Sequence, residues 1–80
     1  MATKSDLMDW VLEALGNLGG HGSVVAVSRE IWQVHESDLR HSGDLFFTWQ
    51  YDVRWAAQKL RDSGRLKPAV KGASSGWALI

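Results

Sequence analysis

The apolar positions between residues 7 and 18 recur every three or four residues, which is the spacing of one helix face. They are Leu7, Trp10, Val11, Ala14, Leu15 and Leu18. Thr3 or Ser5 is expected to cap the start of this helix, because both carry a side-chain oxygen suited to that position. Gly19 and Gly20 are expected to end it, because glycine adopts the left-handed conformation at little cost.

A β-branched run follows the two glycines. Residues 23–27 read Ser-Val-Val-Ala-Val and predict a brief strand or extended link between Gly22 and Ser28. Ser28 is then expected to cap a short second helix. The inner face of that helix comprises Val27, Ile31 and Val34, with His35 or Leu39 as further alternatives. The polar residues 36–44 contain a glycine and predict the loop that ends the helix.

The third predicted helix is the longest and begins near Asp44 to Thr48, either of which is a candidate cap. Its apolar stripe, flanked by Phe46 and Ala57, comprises Leu45, Trp49, Val53, Ala56 and Leu60. At about 100° per residue, the opposite face comprises Phe47, Tyr51, Arg54, Gln58 and Arg61. One of Phe46 and Phe47 is expected to be exposed, because neighbouring side chains on a helix do not both point inward. Gly64 is expected to end the helix.

The last part of the chain predicts a hairpin. Residues 66–70 form a candidate strand, in which Pro68 implies an edge position or a bulge. Residues 71–76 are a turn cluster, and residues 77–80 form a last strand. The order is therefore helix, short strand, helix, loop, helix and hairpin. It predicts one α+β domain over residues 1–80 of the winged-helix type, with three packed helices and the hairpin as the wing.

Three short segments resemble a known family. They are Arg-Trp-Ala at 54–56 with Leu60, Ser-Gly-Arg-Leu at 63–66, and Gly-Trp-Ala-Leu-Ile at 76–80. This stretch resembles the N-terminal winged-helix domain of Mrr-type restriction system proteins, and the similarity covers most of the chain through motifs that many winged helices share. The resemblance implies DNA binding, typically ahead of a nuclease domain. No nuclease domain follows here, so we expect the recognition module alone, as a stand-alone protein or an excised domain.

The charges are balanced in number and divided along the chain. Nine basic and nine acidic residues give a net charge of zero, which argues against strong nucleic-acid binding. However, residues 1–52 carry three basic and eight acidic side chains, whereas residues 53–80 carry six basic and one acidic. A basic end of this kind can face an anionic partner, although charge runs are also common on surfaces that bind nothing.

The candidate DNA contacts divide by their chemistry. A helix that enters the major groove reads base edges with its polar side chains, and cations hold the phosphates. The candidate base-reading residues are Thr48, Gln50, Tyr51, Arg54 and Gln58. The candidate phosphate contacts are Arg61 and Arg65, joined on the hairpin by Lys67, Lys71, Ser74 and Ser75. The plain alternative is that Arg54, Gln58 and Arg61 are only the solvated face of an amphipathic helix.

Catalysis and metal binding are not expected. His35, Asp38, His41 and Asp44 lie close together in the sequence without a recognised metal-ligand spacing. The chain has no cysteine and therefore no thiolate zinc site or disulfide. It also lacks a nucleophile-elbow motif and a phosphate-binding loop. The sequence therefore predicts a binding module that uses no cofactor or metal.

Double-stranded DNA is the expected partner, for transcriptional control or for targeting DNA in a restriction or defence system. A fused or separate effector protein and a homodimer are further candidates. No apolar run approaches the ~20 residues of a membrane span, so a cytoplasmic location is expected, nucleoid-associated if the protein binds DNA. The alternatives are a winged helix that binds only protein, and a dimerising module that uses Phe47, Tyr51 or Trp55.

Overall fold

Three helices and a two-stranded antiparallel sheet form the protein, in an α-rich arrangement compatible with the α+β class. The computed structural model describes residues 2–67 and 76–80. In chain order the elements are α1 (Asp6–Asn17), β1 (His21–Gly22), α2 (Val24–Arg40), α3 (Leu45–Asp62) and β2 (Trp77–Ala78). All three pairs of helices are in contact with one another.

Helix α1 lies where the apolar spacing predicts it. Gly19 and Gly20 follow it with φ angles of 89° and 103°, which confirms the predicted end. The start differs in its detail, because the Ser5 side chain makes no capping hydrogen bond. Instead, the Asp6 carboxylate accepts a hydrogen bond of 2.8 Å from the backbone N–H of Thr3. The hydrogen bond at the start of α1 is therefore made by the side chain of its first residue, Asp6, to the backbone of the preceding turn.

Helix α2 begins earlier than predicted. The strand expected over residues 23–27 and the cap expected at Ser28 are both wrong, because α2 already begins at Val24. Ser23 is the cap: its backbone is extended, and its hydroxyl accepts a hydrogen bond of 3.0 Å from the N–H of Ala26. Val27 and Ile31 then lie four residues apart in the core. Their burial outweighs the weak preference of valine for strands.

Helix α2 also continues further than predicted. The loop expected over residues 36–44 is wrong for residues 36–40, which are helical. Leu39 is fully buried and continues the inner face from Ile31, whereas Val34, also predicted for that face, is half exposed. His35 has non-helical backbone angles, so α2 is kinked there. The polar residues after the kink lie on the solvent-exposed side of the last turns of α2, and the helix continues through them.

Helix α3 confirms the predicted apolar face and most of the opposite face, of which Phe47, Tyr51, Arg54 and Gln58 are exposed and Arg61 is partly buried. The whole apolar stripe is buried, and it includes Leu45, Trp49, Val53, Ala56 and Leu60. Of the adjacent pair, Phe46 is half-buried and Phe47 is exposed. The Asp44 side chain makes no capping hydrogen bond. Gly64 follows the helix with a φ angle of 80°, as expected for the residue that ends it.

The sheet joins the segment that follows α1 to the last strand of the chain. A short strand does follow the first helix, but it lies at His21 and Gly22, which pair with Ala78 and Trp77 of β2. On the other side of the last strand, Leu66 forms an antiparallel bridge with Leu79. The rest of the predicted hairpin, residues 68–75, lies outside the described residues.

One apolar core lies between the helices and the sheet. Trp49 and Trp77 are buried there, as expected for core tryptophans. The largest fully buried side chains are Leu7, Val11, Leu15, Val27, Ile31, Leu39, Val53, Leu60 and Leu66. The core thus fixes α3 against α1 and α2 along one stripe and leaves its opposite stripe open. Within the described part of the chain, no helix combines the length and apolar character that crossing a membrane requires.

Candidate nucleic-acid interface

One side of α3 is open to solvent and carries most of the predicted base-reading residues. Phe47, Gln50, Tyr51, Arg54 and Gln58 are all exposed. At about 100° per residue they span roughly a quarter of the helix circumference, opposite the buried stripe. We call these five residues the outward face. Arg54 lies near its centre.

An open groove of about 760 Å³ runs between α2 and the first half of α3. We call it the α2–α3 groove. From α2 it is lined by Val24, Val25, Ser28, Arg29 and Trp32, and from α3 by Phe46, Trp49, Gln50, Tyr51 and Arg54. Three residues of the outward face are therefore also groove residues. The groove adds side chains from a second helix to the candidate site.

Aromatic rings pack against one another along the α2–α3 groove. Trp32 stacks on Trp49 with their ring centres 5.9 Å apart, and Phe46 lies 6.5 Å from Trp32. Phe47 meets Phe46 edge to face at 5.1 Å. The guanidinium of Arg40 lies 5.2 Å from the centre of the Trp32 ring. Because these contacts restrain one another, the groove is lined by ordered rings.

The two arginines of the groove are free of carboxylates in the described structure. Arg29 lies on α2 and Arg54 on α3, so each contributes its positive charge from a different helix. The ion pairs found among residues 2–67 and 76–80 involve Lys4, His35 and Arg40 only. Both guanidinium groups of the groove therefore keep their hydrogen-bond donors available for a ligand.

Arg29, Ser28 and Val25 were not predicted as site residues. The expected strand over residues 23–27 placed the start of α2 too late, so the first turn of α2 was not predicted to be helical. The signal that identifies the cap is Ser23 followed by apolar residues at 24, 27 and 31. A helix that begins at residue 24 carries Val25 and Arg29 on one face, four residues apart.

Several other predicted site residues are engaged with the protein itself. Thr48 is itself exposed, but its hydroxyl donates a hydrogen bond of 2.7 Å to the buried carboxylate of Asp52 one turn further along α3. The Gln58 amide donates one of 2.9 Å to Asp62. Thr48 and Gln58 therefore have to exchange these contacts before they can bind a base.

The end of α3 carries the predicted phosphate contacts. Arg61 is partly buried, and its Nε donates a hydrogen bond of 3.3 Å to the backbone carbonyl of Lys67. This bond brings the last turn of α3 beside the segment that leads into the predicted hairpin. Arg65 and Lys67 are exposed. Lys71, Ser74 and Ser75 lie outside the described residues, and their predicted roles stay predictions.

Two of the three histidines, His35 and His41, contact residues of the protein itself. His35 lies between Glu13 and Asp38, at 2.8 Å and 3.4 Å, and its ring stacks on Trp10 with 4.0 Å between the ring centres. His41 contacts the backbone carbonyl of Ser37. Over the described ranges 2–67 and 76–80, no group of three or more potential ligands is suited to a metal ion.

Comparisons with protein-family models, with curated proteins and with solved structures find no match to this chain. The resemblance to the Mrr-type domain therefore stays a hypothesis that rests on the segments quoted above. The functional argument rests on the outward face and the α2–α3 groove.

Proposed function

We propose that this protein is a winged helix that binds double-stranded DNA without catalysing a reaction, with α3 entering the major groove. Arg29 on α2 and the basic residues after α3 hold phosphates on either side in this proposal. The cytoplasmic location predicted from the composition belongs to the same proposal, as does a role in transcriptional control or in restriction and defence.

The order and pairing of the elements support the winged-helix part. The last strand pairs with β1 on one side and makes a bridge to Leu66 on the other. In a winged helix the final strand lies centrally in this way, and the segment between its two last strands is the wing. Here that segment is residues 68–75, on which the sequence places Lys71, Ser74 and Ser75.

The observation that carries the DNA-binding part is the pair of arginines across the α2–α3 groove. The described structure gives neither Arg29 nor Arg54 a carboxylate partner. Arg54 lies near the centre of the outward face, the position from which a guanidinium donates two hydrogen bonds to a guanine edge. Arg29 lies on the neighbouring helix, from which a cation meets the phosphate backbone beside the groove.

The test is a DNA titration of three charge-neutralising variants. Arg29→Gln and Arg54→Gln each remove one charge from the groove, and Lys4→Gln removes one from a different side, where Lys4 lies against Asp52 and Trp55. Binding of a labelled duplex is measured by fluorescence anisotropy over a series of salt concentrations. For the wild type, log K should fall with log salt by about 0.9 per phosphate contact.

The two arginine variants should differ from each other as well as from the control. Arg29→Gln should lower the salt slope by about 0.9 and weaken binding to all sequences alike. Arg54→Gln should reduce the preference for a selected sequence by about 1–3 kcal/mol. Lys4→Gln should leave both quantities close to wild type. Wild-type binding that is absent at low salt, or that is insensitive to salt, would refute the proposal.

A specific observation favours a second candidate, which is recognition of a protein. Val25 is 64% exposed and Tyr51 77% exposed, on opposite walls of a groove lined by aromatic rings. Exposed apolar surface of this kind is common at protein interfaces. This candidate predicts no DNA binding at low salt. It predicts one stoichiometric protein partner whose recovery survives nuclease treatment and is lost in Tyr51→Ala.

A further inference from the structure

The outward face of α3 is aromatic at its beginning and polar further along. Phe47 and Tyr51 are 82% and 77% exposed, which is unusual for rings of this size. With Arg54 they follow the spacing i, i+4 and i+7, so the three side chains form one line along the helix. Arg54, which the proposed function assigns to a base edge, therefore follows two exposed aromatic side chains along α3.

We propose that Phe47 and Tyr51 recognise the C5-methyl group of thymine in the major groove. This inference rests on the proposed DNA binding and gives it a sequence preference. The thymine methyl is the apolar feature of the major-groove edge, and aromatic or small apolar side chains are the groups that contact it. A hydrogen-bonding side chain at residue 47 would read a different base.

The packing beneath Phe47 supports this assignment. Its ring meets the half-buried ring of Phe46 edge to face at 5.1 Å. Phe46 in turn lies 6.5 Å from Trp32, which stacks on Trp49 in the groove. Because the Phe47 ring already contacts this cluster, contact with a methyl group should cost little additional side-chain entropy. The exposed side of the Phe47 ring is therefore available for an apolar contact.

The helix geometry sets where the thymine lies relative to the base read by Arg54. A helix rises about 1.5 Å per residue, so Phe47 and Arg54 lie about 10.5 Å apart along α3. One base step of B-DNA is about 3.4 Å. Successive base pairs lie at least this far apart along the groove, because the groove winds around the duplex axis. A helix that follows the groove therefore places a thymine at most about three base steps from the guanine that Arg54 contacts, and a second thymine between them opposite Tyr51.

The experiment isolates the methyl group. A duplex is first selected by the wild-type protein from a randomised pool and then resynthesised with deoxyuridine at one thymidine at a time, which removes only the methyl group. Binding of each duplex is measured by anisotropy for the wild type, Phe47→Ala, Tyr51→Ala and Tyr51→Phe. Val34→Ala is the matched control, because Val34 is an exposed apolar residue of α2 that does not line the groove.

For the wild type, one or two thymidine positions should each lose about fourfold in affinity, the value of one buried methyl group. Phe47→Ala should abolish the loss at one position and Tyr51→Ala at the other, whereas Tyr51→Phe and Val34→Ala should keep both. Tight binding without sensitivity to any methyl group, or sensitivity that both alanine variants retain, would overturn the inference and leave DNA binding intact. Failure to recover any duplex from the pool even at low salt would overturn the proposed function itself.

Discussion

Replacing Ser23 by alanine tests the start of α2. The Ser23 hydroxyl accepts a hydrogen bond of 3.0 Å from the N–H of Ala26, one of the backbone donors that the first helical turn leaves unpaired. Removing such a cap costs about 1 kcal/mol in the free energy of unfolding. In a domain of this length, that loss lowers the melting temperature by about 4–8 °C.

Ser28 supplies the matched control, because it is the serine that was predicted as the cap from the sequence. In the structure it lies one turn inside α2 and lines the groove. Ser28→Ala should leave the stability within about 0.5 kcal/mol of wild type, as most substitutions away from special features do. Ser23→Asp should retain the stability, because a carboxylate caps a helix as well as a hydroxyl does. All variants are compared by urea unfolding followed by circular dichroism at the helix band.

The result that refutes this reasoning is an inverted order. If Ser28→Ala costs about 1 kcal/mol and Ser23→Ala is neutral, α2 begins at Ser28 and the segment before it is extended. The α2–α3 groove then loses the turn that carries Val25. The comparison of two serines therefore tests the local structure on which the candidate site depends.

Three further substitutions test other parts of the fold, each by urea unfolding. Gly16→Ala should stabilise the protein by about 0.5 kcal/mol, because a Cβ there meets no atom within 4 Å and α1 gains helix propensity. Gly76→Ala should destabilise it by about 1–3 kcal/mol, because the added Cβ would lie 2.9 Å from the backbone oxygen of Gly22 and force the strands apart. Thr48→Val should cost about 1.5 kcal/mol by removing the hydrogen bond to the buried Asp52 carboxylate.

The elements with a long, regular apolar pattern could be predicted from the sequence. Helix α1 repeats its buried positions over about two turns and α3 over about four, and glycines at left-handed φ angles end both. The last strand at Trp77 was also predictable, because a bulky apolar run follows a cluster of turn residues. In these segments the local preference and the packing in the core favour the same structure.

Helix α2 could not be predicted in this way, because its local preference and its packing disagree. Residues 23–27 are rich in valine, which favours strands locally, yet Val27 and Ile31 reach the core only from a helix. Its last turns are polar on the outside, and Leu39 alone continues the buried face. Three core residues thus decide the structure of a segment whose other side chains indicate an extended link and a loop.

The same error limited the prediction of the site. The outward face of α3 could be predicted from helical periodicity, and Tyr51, Arg54 and Gln58 do share it. The α2 wall of the groove could not, because Val24 and Val25 are helical only when α2 begins at Val24, and the packing of α2 beside α3 that brings Arg29 and Arg54 to one groove is a tertiary feature. Contacts such as the hydrogen bond between Thr48 and Asp52 depend on side-chain geometry that periodicity does not contain.

The balance of charge along the chain gives a misleading picture of the charge around the groove. Arg29 belongs to the acidic first part of the sequence, yet it lines the groove with Arg54 from the basic part. Four of the eight acidic residues in that first part already have partners within the protein: Glu36 and Asp52 form ion pairs with Arg40 and Lys4, and Glu13 and Asp38 are hydrogen-bonded to the His35 ring. Exposed charges further apart than about 10 Å are largely screened at moderate salt. A neutral total charge is therefore compatible with an anionic ligand, because the two arginines of the groove would act on that ligand at contact distance.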